Sequence, residues 1–213
     1  MPDGAHHVAF AYSADGKDRF TTVWPNLNLL DGTRDFSGTW ESADGWENDG
    51  TYQGLTVKKR TEAWHGIYKK LTIPKTRTFT APSDGKYTFS AYVKSSGSSA
   101  MVFRYVFVNG KSANDKFMGN DFDWLRDSVT VTLNAGDVVY AKYEITGGGA
   151  LWNAGHKWEE GPIATPWMPS FSEVTPEDYP SYIGTYTDND PNNQSTDPAR
   201  YSWKKIEDYL KGI

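Results

Sequence analysis

The 213-residue chain contains no cysteine, which excludes a disulfide framework, thiolate metal sites and a cysteine nucleophile. That absence fits assembly in a reducing cytoplasm and is equally harmless outside cells. The chain also lacks any run of about 18 apolar residues, and any basic start followed by an apolar stretch. Neither a transmembrane helix nor a signal peptide is expected. Positive charge is scarce: 22 Lys and Arg stand against 27 Asp and Glu, a net charge of −5. From Phe171 onward eight acids face four bases. Without a basic excess, a grip on nucleic-acid phosphates has no electrostatic source. Neither nucleic acid nor a membrane is expected as a partner.

What the chain has instead is rings. Nine Trp, 13 Tyr and 10 Phe make 15% of residues aromatic, while hydrophobic residues reach only 38%. This excess of ring surface over aliphatic surface points to strands and to ring-lined surfaces beyond an ordinary core.

The plainest strand is KYTFSAYVK, where Tyr87, Phe89, Ala91 and Val93 alternate with Thr88, Ser90 and Tyr92 after the turn formers Ser83 to Gly85. In MVFRYVFVNGK, Met101, Phe103, Tyr105 and Phe107 share one face and Val102, Arg104, Val106 and Val108 the other, before the turn pair Asn109-Gly110. Both faces are largely apolar, so this strand is expected to be central and buried. Further strands are expected at Leu55–Val57, Trp64–Ile73, Thr76–Thr80, Ser128–Leu133, Val138–Ile145 and Ala150–Trp158. Short strands at this spacing, with no long 3.6-residue pattern, predict an all-β, two-sheet antiparallel sandwich. Only DPARYSWKKIEDYLKGI has a helical pattern, with Asp197 as cap and Ile206, Tyr209 and Leu210 on one stripe.

The two ends resemble each other. Asp18-Arg19-Phe20-Thr21 finds a counterpart in Asp197-Pro198-Ala199-Arg200-Tyr201-Ser202, each after a short apolar-aromatic run and turn formers. Connectors at 1–25 and 173–213 bracketing a module at 26–172 would account for this.

Catalytic patterns are thin. Glu159 and Glu160 are the tempting pair, because glycoside hydrolysis uses two carboxylates across one bond. Neighbours on a strand point to opposite faces, so they cannot flank one sugar. His65 and His156 stand apart from any triad or zinc pattern. Gly147-Gly148-Gly149 lacks the Lys-Ser/Thr and helix of a phosphate loop and reads as a hairpin turn or lip. Asn114, Asp115, Asn120, Asp121, Asp123 and Asp127 offer oxygen ligands to calcium, as do Asn28 and Asp31. Neither set has EF-hand spacing, and capped turns are the favoured reading. No cofactor is implied.

The rings remain. Sugar C–H patches lie on indole or phenol faces while neighbouring polar groups bond the hydroxyls. Trp40, Trp158 and Trp167 sit in apolar company and read as core. Trp46, Trp64, Trp124 and Trp152 have polar or Gly-rich surroundings and are the stacking candidates, with His65, Arg104, Asn120 and Asp121 as polar partners.

NLNLLDGTRDF, WHGIYKKLTIPKTRTFTAPSDGKYTFSAYVK and AGHKWEEGPIATPWMPS resemble the opening, middle and closing stretches of carbohydrate-binding modules inserted in tail, baseplate and adhesion proteins of phages that infect Gram-positive, especially lactic acid, bacteria. AFAYSADGKDRFTTVWPNLNLL and SYIGTYTDNDPNNQSTDPARYSWKKI are similar to the connector repeats flanking such modules. The chain departs from the pattern at Trp158, where the closing motif usually has a smaller apolar residue.

The resemblance implies a jelly-roll sandwich made in the host cytoplasm and carried on the virion at the tail tip or baseplate. There it would bind host cell-wall polysaccharide without cleaving it, beside other tail and baseplate subunits. A structural tail spacer is the alternative expectation, and a wall-glycan hydrolase a third.

Overall fold

The computed structural model describes residues 4–75 and 85–212. The strand expected over Thr76–Thr80, and Ser83 and Asp84 of the turn before KYTFSAYVK, lie outside them. The strands are β1 (Ala5–Ala11), β2 (Glu47–Tyr52), β3 (Leu55–Arg60), β4 (Leu71–Thr72), β5 (Lys86–Ser96), β6 (Val102–Val108) and β7 (Lys111–Ser112). They continue as β8 (Lys116–Gly119), β9 (Leu125–Thr132), β10 (Val138–Ile145), β11 (Ala150–Glu160), β12 (Tyr182–Asp188) and β13 (Ser202–Lys205), followed by helix α1 (Ile206–Lys211). The chain divides into two compact units, one of residues 27–173 and one of residues 1–26 with 174–213.

In the larger unit two antiparallel sheets enclose the core. One runs β4-β10-β6-β7, with β8 also on β6, and the other runs β2-β3-β11-β5-β9. Setting aside the hairpin strands β2 and β7, every strand but β6 is followed by one in the other sheet. The resulting orders, β3-β11-β5-β9 and β4-β10-β6-β8, are those of a jelly roll.

Alternation explains the inner layer. Tyr87, Phe89, Ala91 and Val93 of β5 meet Val102 and Val106 of β6, Val139, Ala141, Tyr143 and Ile145 of β10 and Leu151 and Trp158 of β11 in one buried cluster. Trp40 and Trp46 join it. Trp167 is buried over the outer face of the second sheet with Leu55, Val57, Tyr92 and Ala154.

In the smaller unit β1 pairs β12 antiparallel, with Phe10 opposite Ile183, and β13 pairs the other edge of β12. His7 Nε2 lies 2.8 Å from Asp188 Oδ1, and its ring stacks on Tyr186.

Four local expectations need correction. The strand expected over Trp64–Ile73 shrinks to Leu71–Thr72, because Trp64 and His65 take left-handed backbone (φ 60° and 54°) that ends any extended run. The C-terminal pattern is not one helix: Asp197 caps only a 3-10 turn at Pro198–Arg200, Ser202–Lys205 is strand, and the helix is Ile206–Lys211. Pairing with β12, and Trp203 against Gly184, override the local propensity. The Gly147–Gly149 run passes the chain from β10 in one sheet to β11 in the other and so closes no hairpin. Finally, β6 is buried on one face only: Val102, Arg104 and Val106 are enclosed, while Phe103, Tyr105 and Phe107 are half-buried.

Candidate saccharide platform

The exposed side of β6 is where the rings collect. Antiparallel register sets Phe107 opposite Tyr140, Tyr105 opposite Lys142 and Phe103 opposite Glu144. Because directly opposed residues point to the same side, these form cross-strand pairs on the outer face of one sheet. Phe107 stacks on Tyr140 at 5.1 Å, and Tyr140 on Tyr68 at 4.0 Å with planes 16° apart. At the other end Phe103 lies 6.3 Å from Trp64 and 5.4 Å from Phe117 of β8. Tyr105 joins the two ends, with ring centroids 6.1 Å from Phe103 and 6.4 Å from Phe107. Trp64 is 45% and Phe117 56% exposed, so this is a platform open to solvent.

Polar groups stand within the rings. Lys142 Nζ lies 5.5 to 5.9 Å from the centroids of Phe107, Tyr105 and Tyr68, and 3.4 Å from Glu144 Oε2. Burial first, then the Glu144 and Asp115 charges, pushes the Tyr105 hydroxyl above its ordinary range. Burial does the same to Tyr140, helped by Tyr68 and Glu144. Both phenols therefore stay neutral and able to donate and accept hydrogen bonds at ordinary pH.

Trp64 is held in place at a cost. A left-handed backbone is unfavourable for a bulky residue, and here two occur in succession. The surroundings compensate: Trp64 N–H donates to Ile145 O (2.8 Å), Gly66 N–H donates to Glu144 Oε2 (2.7 Å), and Trp46 Nε1–H donates to His65 O (2.8 Å). A Cβ at Gly66 would stand 2.4 Å from Tyr143 O, so only glycine lets the loop press against β10.

Of the residues singled out from the sequence, Trp64 and His65 lie together in this loop. Trp46, 6% exposed, is a core residue beneath them and presents no free ring face. Arg104 points inward, where its Nη1 donates to both carboxylate oxygens of Asp127 (3.1 and 2.9 Å) and to Ser128 O, and its Nη2 to Asn114 Oδ1. Tyr143 donates to the same carboxylate (2.9 Å), and the pair is shut between the sheets, out of a ligand's reach.

Asn120 donates to Ser98 O, and Asp121, with φ 51°, accepts from Gly97 N–H at 3.4 Å; both brace loops. Trp124 and Trp152 lie on the other sheet. Trp124 stacks on Tyr52 at 4.3 Å, while Trp152 donates to Asp49 Oδ2 and has Lys59 and Lys94 over its ring.

Phe103, Tyr105, Phe107, Tyr140, Tyr68, Phe117, Lys142 and Glu144 were not singled out. The legible signal was the division of β6 into a face of F, Y and F and a face of V, R and V, since a strand with rings on one side and aliphatics on the other exposes one of them.

The carboxylates that drew attention are occupied structurally. Glu159 is fully buried against Lys157 and accepts from Thr165 N–H and Oγ1–H. Asn28 spends its amide on Thr33, His156 O, Leu30 N–H and Trp158 N–H. Among the described residues no group of three or more His, Cys, Asp or Glu side chains is arranged to hold a metal.

No family model and no curated protein matches the sequence. Solved structures do. A xylan-binding domain from Paenibacillus barcinonensis is similar over 65% of this chain and 94% of its own, at 21% identity and a TM-score of 0.41. A module in complex with β-1,4-galactotriose is similar over 64% of this chain and 100% of its own, at 11% identity and a TM-score of 0.46. The chain shares its fold with the tripod from the baseplate of bacteriophage Tuc2009, over 96% of this chain and 79% of that one, at 24% identity and a TM-score of 0.59.

Proposed function

We propose that the chain is a non-catalytic carbohydrate-binding module of a phage tail protein, with residues 26–172 as the binding sandwich and 1–25 and 173–213 as connectors to the rest of the tail. It recognises saccharide of the host cell wall for adsorption. The observation that carries this reading is the ring platform over β6 and β10, open to solvent at Trp64 and Phe117 and interleaved with Lys142. Its apolar faces suit sugar C–H patches, and its phenols and ammonium suit hydroxyls. From Phe103 to Phe107 the platform runs four residues, about 13 Å at the usual strand rise, so it suits a stretch of polymer better than one terminal sugar. The tail setting is supported by the fold shared with the baseplate tripod and by the connector motifs at both ends.

Each contact is weak alone, and several copies on one particle supply the grip through avidity. The test is retention of the full chain on walls purified from a panel of Gram-positive strains, against Trp64→Ala and Phe103→Ala variants of unchanged fold. Retention lost in the variants supports the module. A wild-type chain that binds no wall saccharide points to the spacer, and release of reducing sugar to a hydrolase.

A further inference from the structure

Beside the platform, at its Trp64 end, lies a polar hollow of about 350 Å³ lined by Ser42, Asp44, Gly45, Arg60, Glu62 and His65. Its volume falls in the range of small-molecule sites. Two loops form its walls, and buried groups tie them together. Arg60, 4% exposed, donates from Nη1 to Asp44 O (2.7 Å), from Nη2 to Ala63 O (3.2 Å) and from Nε to Glu62 O (3.1 Å). The Trp46 to His65 hydrogen bond ties them a second time. A Cβ at Gly45 would stand 2.2 Å from Arg60 Nη1, so glycine is what admits the guanidinium.

The backbone is thus committed to holding the walls, while the side chains of Ser42, Asp44 and His65 make no hydrogen bond among the described residues. Glu62, 3.6 Å from Arg60 Nη2, is 76% exposed. A hollow whose backbone walls are tied together and whose side-chain acceptors stand open suits a hydroxyl-rich guest.

We infer that this hollow is a subsite for a single neutral pyranose, held by its hydroxyls on the carboxylates of Asp44 and Glu62 with Ser42 and His65 completing the contacts. The carboxylates accept vicinal hydroxyls and repel a phosphate or uronate. His65 lines the hollow and the adjacent Trp64 stacks at the platform's end, so polymer lying along β6 would place a branch sugar here. The inference rests on the saccharide-binding reading and adds that the recognised glycan is branched, with an uncharged side residue.

Glucose, galactose, rhamnose and N-acetylglucosamine, with galacturonate as the anionic control, are titrated into the isotopically labelled full chain in the presence of chelator, and backbone amide shifts are followed. The expected result is a saturable shift at Ser42, Asp44 and His65 with at least one neutral sugar and none with galacturonate. Asp44→Asn and Glu62→Gln should weaken that binding tenfold or more. Shifts confined to β6 and β10, equal binding of galacturonate, or no effect of either substitution overturns the subsite. Wall retention that still depends on Trp64 and Phe103 would then leave the platform standing. Loss of the neutral-sugar shift in chelator, with recovery on added calcium, also overturns the inference.

Discussion

Lys157 Nζ lies 3.2 Å from Glu159 Oε2, and solvent reaches neither side chain. The exit segment after β11 seals them: Lys157 donates to Thr165 Oγ1 (2.9 Å) and Pro166 O (2.8 Å), and Arg126 donates to Thr165 O. The stretch richest in chemical groups is therefore a latch that folds the end of the module back onto its own sheet.

Lys157→Met should destabilise the chain by about 3–5 kcal/mol, because it removes the ammonium 3.2 Å from a buried carboxylate. The double variant Lys157→Met with Glu159→Met should regain part of that, since the buried carboxylate goes too, although Arg126 then loses the charge of Glu159. Urea midpoints of the two variants decide; a double variant no better than the single one would show that the charge of Glu159 is not what sets the cost.

Acid should act through His156. Its ring sits among Phe36, Trp40, Phe89 and Tyr143 at centroid distances of 5.4 to 6.2 Å, and burial pushes its pKa down to about 3. The unfolded chain takes up the proton near pH 6.5 and the folded chain only near 3, so this group costs stability as pH falls through that window. The cost grows to about 5 kcal/mol below pH 3, one pKa unit being 1.36 kcal/mol. His156→Phe should remove this component. Unfolding curves at pH 7 and pH 4 should converge more closely in the variant than in the wild type.

Trp64 separates binding from stability. Trp64→Gly and Trp64→Ala should both lose wall retention by tenfold or more, yet the glycine variant should be more stable by about 1 kcal/mol, because φ 60° strains alanine and not glycine. Thermal melts of the pair give the sign. Equal stability would mean that the loop relaxes out of the left-handed region when the ring is removed.

Asn28→Ala should cost about 3 kcal/mol. The amide donates to Thr33 and His156 O and accepts from Leu30 and Trp158, joining the start of the module to β11 from inside. Denaturant titration measures the loss, and Asn28→Asp, which turns the donor nitrogen into a carboxylate oxygen facing His156 O in a buried site, should cost at least as much as alanine.

Much of the sandwich is readable in the sequence. KYTFSAYVK, Val138–Ile145 and Ala150–Trp158 alternate so regularly that period alone marks them as strands, and the core placement of Trp40, Trp158 and Trp167 followed from their apolar neighbours. The platform was less readable. Met101 to Val108 carries apolar groups on both faces, and a period of two cannot say which face meets the other sheet. Polar surroundings also misled at Trp46: Asp44, Gly45 and Glu47 flank it in sequence, yet its ring passes under the loop they form and donates to His65 O. Arg104 is the converse, a charge in an apolar strand that lies inside because Asp127 arrives from β9 to neutralise it.

By itself, then, the order of residues determined that this chain is built of many short strands, that it has no cysteine for a crosslink, and that its surplus of rings exceeds what a core of this size needs. Tertiary structure alone decided which rings face solvent, that Glu159 serves a latch, and that Trp64 stands at the end of a platform beside a polar hollow. The reason is physical: alternation is a property of each strand taken singly. Burial and the meeting of Phe103 with Glu144 or Arg104 with Asp127 are properties of strand pairs, brought together over tens of residues by hydrogen-bond register and sheet packing.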